Sequence, residues 1–498
     1  MAGSDSFGNA KLPSSDLEAN VKYLCNIFRD DDTLVKRFFS SAREPTAKFC
    51  ILFSDGMINN KLMNEDIIRP VLECPFRKDD PSLTQTVSEN ITLSNSVERT
   101  DQVENLVQAI VYGDTVLLAR GCPDALVLNT KGWNTRSIAE PESERVLRGP
   151  REGFNESLLT NLSMLHRKLR TPDLKMKYRT FGTRTKTKAC LCYLDSLVNK
   201  SVLEELEKRL DRIDIDGTLD SNYIAELIKD SPFSAIDTVG STERPDVVAG
   251  KLLEGRIALL LDGTPAVLTV PHLFIELFQS DEDYYVSFVF SSIGRLLRIL
   301  SFIISLCFPA FYVALVTFHQ EMLPTQLLLS ISAARQGVPF PTALETVFML
   351  VVFEMLRESG ARMPGIMGQT LSIVGALVIG QAAVSAKLVS APIIIVVGLA
   401  GITGLMVPRL KGYTITHRFF LLICACFLGL YGLLLGLLVL LVGIFGMHSF
   451  GVPIVPDIHL SNPQEYKDIY FRFPWIFMKE RPGYFTKNTT RQTNGEKK

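Results

Sequence analysis

Between residues 286 and 447, only thirteen of 162 residues are Asp, Glu, Lys or Arg. Soluble domains carry roughly a quarter of their residues as charges, whereas a helix that crosses a bilayer needs about twenty mostly apolar residues. The stretch therefore predicts an α-helical polytopic membrane domain of four to six hydrophobic helices. The first 285 residues carry charge at ordinary globular density, so the net charge of −1 and mean hydropathy of +0.19 average over two unlike halves. No basic stripe with interleaved aromatics stands out, which argues against a nucleic-acid partner.

The first span is expected from about Leu296 to Phe318, with Arg295 and Arg298 at a cytoplasmic entrance. The segment after Pro341 holds Glu345, Glu354 and Arg357 and makes a poor lipid-facing helix. Ionisable groups at membrane depth face a bundle interior or an aqueous cavity and pair with one another; the alternative is an ion pair of Glu354 and Glu358 with Arg357 at an interfacial helix end, with Glu345 interfacial at the opposite end. Further apolar runs begin at Gly368, Leu388 and Phe419, and Arg409, Lys411 and Arg418 mark the loop before the last one as cytoplasmic. The last run either crosses once, leaving the tail outside, or forms two short half-spans. The cations of "FMKERPGYFTK" favour a tail on the inside.

On the helix from Gly368, the small residues Gly368, Gly375, Ala382 and Ala383 cluster broadly on one side and permit close helix approach. A second stripe, Thr370, Val374, Leu377, Gln381 and Ser385, carries polar groups at both ends of an apolar middle. An amide such as Gln381 is costly against lipid. A pore lining with an apolar constriction near Val374 and Val378 satisfies the stripe, and a buried bundle without a pore is the alternative.

The N-terminal half contains an internal match. "CILFSDGMIN" from Cys50 aligns without a gap with "CLCYLDSLVN" from Cys190, and "GDTVLLARGCPDALVLNT" from Gly113 aligns with "GRIALLLDGTPAVLTVP" from Gly255 at nearly the same offset. Two ordered matches indicate a duplication. Each copy reads as a strand, a turn and a helix, followed by a hairpin at Gly-x-Pro. The expected fold class is thus an α+β cytoplasmic region of two similar α/β subdomains, 38–160 and 161–278, after an extension of residues 1–37. The membrane domain spans 286–447 and a polar tail 448–498. Asp55 and Asp195 are expected to shape turns, with contacts to a small ligand held between the lobes as the alternative.

Signatures of catalysis are missing: there is no Walker A sequence, no GxGxxG after a strand and no GxSxG, and the six histidines do not fall at metal-ligand spacing. Neither an enzyme nor a cofactor is expected. "RGPREGF" from Arg148 reads as a joining loop, with an anion or partner site as the alternative. The nine cysteines lack CxxC spacing and read as small apolar residues in a reducing compartment. The opening "MAGSDSFGNAKLPSSDLEAN" lacks the basic and apolar regions of a signal peptide.

"EGRIALLLDGTP" (Glu254 to Pro265), "RGPREGF", "PFPTALETVFMLVVFEMLRESGARMP" (Pro339 to Pro364) and "SIVGALVIGQAAV" (Ser372 to Val384) resemble the A subunit of the GerA-family nutrient germinant receptors of bacterial endospores. The resemblance covers nearly the whole chain. It implies a multi-pass protein of the spore inner membrane, with its N-terminal domain on the core side. The implied partners are a transporter-like, nutrient-binding B subunit and a lipoprotein C subunit. It further implies a homo-oligomeric ring, a pentamer, whose opening releases monovalent cations. A non-conducting signalling scaffold is the alternative, and a secondary transporter ranks third because the membrane half shows no inverted repeat.

Overall fold

The computed structural model describes residues 10–76, 83–90, 97–132, 141, 144, 146, 148–362, 375, 378–455, 465–486 and 488–491. The chain begins with α1 (Leu17–Ile27), β1 (Leu34–Ser40) and β2 (Lys48–Ser54). There follow α2 (Asn60–Leu62) and α3 (Arg69–Glu73), joined through a π-helical turn at Met63–Ile68, then α4 (Leu83–Asn90), β3 (Val97–Thr100), α5 (Val103–Tyr112), β4 (Thr115–Ala119) and β5 (Ala125–Leu128). These strands form one sheet in the order β1-β2-β4-β5-β3. A second series repeats it: α6 (Leu158–Lys168), β6 (Leu174–Phe181), β7 (Thr187–Leu194), α7 (Lys200–Asp211), α8 (Ser221–Ile228), β8 (Gly240–Thr242), α9 (Pro245–Leu253), β9 (Ile257–Leu261) and β10 (Val267–Val270). Its sheet has the matching order β6-β7-β9-β10-β8.

The continuous apolar runs of β2 and β7 follow from burial on both faces. Phe49, Ile51 and Phe53 pack on one side with Ile67 and Val71, while Cys50 and Leu52 pack on the other with Leu24 and Leu106. In the second unit Leu191 and Tyr193 meet Leu203 and Ile224, and Cys190 and Cys192 meet Leu162 and Val248. Each large side chain so buried contributes about 1.5–3 kcal/mol. The hairpins β4–β5 and β9–β10 turn at Gly121 (φ 79°) and Gly263 (φ 89°), a backbone region that a Cβ disfavours. Asp55 accepts a hydrogen bond from the Gly56 amide at 2.9 Å, a turn-stabilising contact.

Residues 1–37, expected as an N-terminal extension, include α1, whose Leu17, Val21 and Leu24 pack on the first sheet. The two units meet through Asp32 and His166. The Asp32 amide donates to Met176 O at 2.9 Å, and its carboxylate accepts from the Tyr178 amide at 2.8 Å. His166 Nε2 lies 3.4 Å from both Thr33 Oγ1 and Ser54 Oγ.

Beyond the second unit come α10 (Phe288–Phe318), α11 (Thr325–Arg335), α12 (Thr342–Arg362), α13 (378–385), α14 (Ala391–Gly404) and α15 (Lys411–Phe445). Among the described residues, Phe288–Phe318 and Pro408–Phe445 are long and apolar enough to cross a membrane. The second of these does not run straight. Gly429 has φ 60° and ψ −136°, outside the helical region. A Cβ built on Gly436 would stand 3.6 Å from Cys424 Cβ, whereas twelve residues of straight helix separate such atoms by about 18 Å. α15 is therefore two antiparallel half-helices that reverse at Gly429.

The reversal returns the chain to the end of the bundle it started from. Ile444 packs with Leu410, Tyr413 and Phe278, whereas the reversal itself lies against Phe318 and His319 at the far end of α10. The chain then enters β11 (His448–Ser449) and β12 (Val452–Pro453). Ser449 Oγ donates to Thr238 O at 2.6 Å, and Phe450, Val452 and Phe485 join the core of the second α/β unit. The tail, polar in composition, thus buries apolar residues in a domain that precedes it by two hundred positions, and it lies at the same end of the bundle as that domain.

Candidate functional site

The bundle encloses two polar centres. In the first, Arg418 is fully buried on α15; its Nε donates to Ser305 O at 2.7 Å and its Nη2 to Ser305 Oγ at 2.6 Å. Ser305 Oγ in turn donates to Ala400 O at 2.8 Å. Glu354 receives Arg418 Nη1 at 3.3 Å and pairs with Arg357 one turn away on α12. Such pairing is what makes buried ions tolerable. Arg418 is therefore not a cation of the loop before the last run, as its position beside Arg409 and Lys411 predicts. It lies within α15, which starts at Lys411, and it neutralises a carboxylate on α12.

In the second centre, Glu345 is buried and accepts from the Ser390 amide at 2.9 Å and from Ser390 Oγ at 3.0 Å. Ser390 caps the N-terminus of α14, where the helix dipole favours a carboxylate. Arg335 Nη2 lies 3.7 Å from Glu345. The structure thus places Glu345, Glu354 and Arg357 in inward-facing ion-pair and hydrogen-bond networks. Their partners Arg335, Ser390 and Arg418 come from three other segments, a pairing that helical spacing does not reveal.

α13 carries the described part of the expected stripe. Val378, Gln381 and Ser385 are exposed on its outward surface, as is Ala382, while Ala383 is buried. Gly380 faces Ile394 of α14, and a Cβ on Gly375 would stand 3.3 Å from Leu356. The small residues therefore divide between an inner packing face and the outer face. Gly368, Thr370, Val374 and Leu377 lie outside the described residues.

A third polar centre joins the second α/β unit to the bundle. Glu276 pairs with Arg256, with Lys251 Nζ at 3.2 Å and with His272 Nδ1 at 3.1 Å. Burial raises its pKa, but Arg256, Lys251 and His272 overcome that and hold the carboxyl well below its usual range. Burial likewise lowers the pKa of His272. Arg244, fully buried, donates to Pro150 O at 2.7 Å and to Asp246 at 2.9 Å, and Arg409 of the bundle pairs with Glu144 at 2.6 Å. Burial and nearby Glu144 push Asp281 up to about 6 against Arg409 and Arg244. The loop "RGPREGF" serves this junction: Pro150 supplies the carbonyl for Arg244, and Gly149 lies against the Tyr285 ring. Beside it opens a cavity of about 760 Å³, lined by Lys251, Glu254, Arg409, Trp475, Arg481 and Arg491.

Residues 22–484 match the family described as Bacillus/Clostridium GerA spore germination protein. Spore germination protein KA of Bacillus subtilis (strain 168) is 41% identical over 95% of this chain and 87% of its own length. Spore germination protein B1 of the same organism is 36% identical over 94% of this chain and 97% of its own length. Spore germination protein GerLA of Bacillus cereus is 35% identical over 88% and 90%. The crystal structure of the N-terminal domain of the A subunit of the Bacillus megaterium spore germinant receptor GerK3 aligns with a TM-score of 0.43 and 31% identity, over 53% of this chain and 98% of that one.

Proposed function

Because this chain belongs to the GerA family of spore germination proteins, we propose that it is the A subunit of a nutrient germinant receptor. In this reading it is a multi-pass protein of the spore inner membrane, has no enzymatic activity, and acts with B and C partner subunits. Several copies assemble as a ring, a pentamer, around a cation-conducting pore. The observation that carries the pore is the outward face of α13, where Gln381 and Ser385 are exposed beside Val378 on a helix that otherwise packs into an apolar bundle. An amide in that position calls for water or a polar neighbour. A ring that turns α13 toward its axis supplies one, with Thr370, Val374 and Leu377 continuing the lining and Val374 and Val378 forming the constriction.

The junction at Glu276, Arg256 and Arg409 couples the two halves in this reading. Nutrient binding in the B subunit moves the α/β region, and the network passes that motion to the loop before α15. A non-conducting scaffold is the second reading. It is favoured by the ion pairs of Glu354, Arg357 and Arg418, which are closed among themselves and send no charge to the outward face of α13.

The test is nutrient-triggered monovalent-cation flux in cells that make this chain with its B and C partners, comparing wild type with Val374→Ala and Gln381→Leu. Leak without nutrient in Val374→Ala and reduced flux in Gln381→Leu are the expected outcomes. Identical flux in all three removes α13 from the pore, and absent flux despite verified assembly leaves the scaffold.

A further inference from the structure

The segment from Tyr470 to Phe477 is unlike the rest of the C-terminal region. Tyr470, Phe471, Phe473, Trp475, Ile476 and Phe477 are all exposed, Ile476 at 74%. The segment is nonetheless held in place. The Arg472 amide donates to Ser292 Oγ at 3.1 Å, Ser292 Oγ donates to Arg472 O at 3.2 Å, and Arg472 Nη1 donates to Val286 O at 3.1 Å. The Arg472 side chain is buried. Phe471 and Phe473 on either side of the buried Arg472 are exposed, and the short turn Trp475–Phe477 presents three more large side chains, Trp475 at the edge of the cavity described above. Two further contacts anchor the approach to the segment: Arg295 Nη1 bonds Asp468 at 2.9 Å, and Gln279 Nε2 donates to Asp468 O at 2.8 Å.

We propose that Tyr470–Phe477 is an interfacial foot that inserts into the headgroup region of an anionic leaflet, on the side of the α/β units. This rests on reading α10 as a membrane span. Continuity selects the lipid as occupant. The clamp at Ser292 and Val286 sets the segment beside the first turns of α10, where Phe288, Phe290 and Ile293 are likewise exposed. The apolar belt of the span thus continues sideways onto the foot. Aromatic side chains concentrate at this depth because their bodies are apolar and their edges polar. Charge points the same way, since Lys467, Lys479 and Arg481 flank the segment and outnumber the interleaved Asp468 and Glu480, and Arg409 and Lys411 head α15 at the same end of the bundle. A basic rim beside exposed aromatics matches the negative surface potential of an anionic cytoplasmic leaflet.

The chain has two tryptophans, so Trp133→Phe leaves Trp475 as sole reporter in the full-length protein. Reconstituted into phosphatidylcholine–phosphatidylglycerol vesicles, Trp475 should be quenched about two-fold more by a nitroxide near the headgroup than by one at the acyl-chain end, the depth of an interfacial element. Adding Ile476→Glu and Phe477→Glu, both at exposed positions, should lower that quenching and raise quenching by aqueous acrylamide. A control with both native tryptophans replaced by Phe and with Phe311→Trp, in the body of α10, should favour the deep nitroxide. Deep quenching of the control with no lipid quenching of Trp475 overturns the foot while leaving the span. Lack of lipid quenching at both positions overturns the membrane reading and the foot with it. Acquisition of lipid quenching by Trp475 only when the protein is diluted to separated copies also overturns the foot, since a second copy then covers the segment.

Discussion

Replacing Gly429 with alanine attacks the point at which the last apolar stretch turns back. At φ 60° and ψ −136° the backbone occupies a region essentially restricted to glycine, and holding another residue in such a region costs about 1–3 kcal/mol. The added Cβ would also stand 2.8 Å from His319 Cε1 and 2.9 Å from Phe318 Cβ. Overpacking of that kind costs about 1–3 kcal/mol. The expected loss is therefore about 2–6 kcal/mol, a large part of the 5–15 kcal/mol typical of whole domains. Gly443 is the control: it is exposed within the second half of α15, and no atom of the described residues lies within 4 Å of its added Cβ. Alanine there should stabilise by about 0.5–1 kcal/mol, the ordinary gain over glycine in a helix. The assay is thermal unfolding of the detergent-solubilised full chain, read alongside labelling of Lys36→Cys and Glu480→Cys by a membrane-impermeant maleimide in oriented vesicles. With Gly429 retained and the nine native cysteines replaced by alanine, the two introduced cysteines should label from one side. A Gly429→Ala protein as stable as Gly443→Ala, or labelling of the two cysteines from opposite sides, would refute the reversal.

Arg418→Met should destabilise the folded chain by about 1–3 kcal/mol, because it removes the buried guanidinium that bonds Ser305 and leaves the half-buried Glu354 carboxylate paired with Arg357 alone among the described residues; pairing it with Glu354→Gln should recover part of the loss, and thermal unfolding of the single and double variants measures the coupling. His166 gives a pH dependence. Burial lowers its pKa to about 4, so its neutral form is favoured in the fold, and the associated stability is complete above the unfolded value near 6.5 and declines as pH falls through the folded value. At about 1.36 kcal/mol per unit, the loss approaches about 3 kcal/mol by pH 4; denaturant unfolding from pH 7.5 to 4 should show it, and His166→Gln should flatten that part of the profile.

What could be read from residue order depended on how near in the chain the partners lie. The strands β2 and β7 were legible because an apolar run ended by a turn signal reports its own burial on both sheet faces. The hairpins at Gly121 and Gly263 were legible because a left-handed turn demands a particular residue. α1 also carries a local signal, Leu17, Val21, Leu24 and Phe28 at helical spacing, although it precedes the duplicated segments, so the duplication alone does not mark it as part of the first unit. Arg418 had no such signal. Its partners stand 113 and 64 positions away, on α10 and α12, and an arginine next to Arg409 and Lys411 reads as one more loop cation until the fold brings Ser305 and Glu354 to it. The same holds for Phe450 and Phe485, aromatics of the tail that are buried in the core of the second α/β unit. These long-range contacts bind the end of the chain to the domain before the bundle. A displacement of the α/β units must therefore be transmitted to the bundle at both of its ends in sequence, through α10 and through the half-helix that follows Gly429.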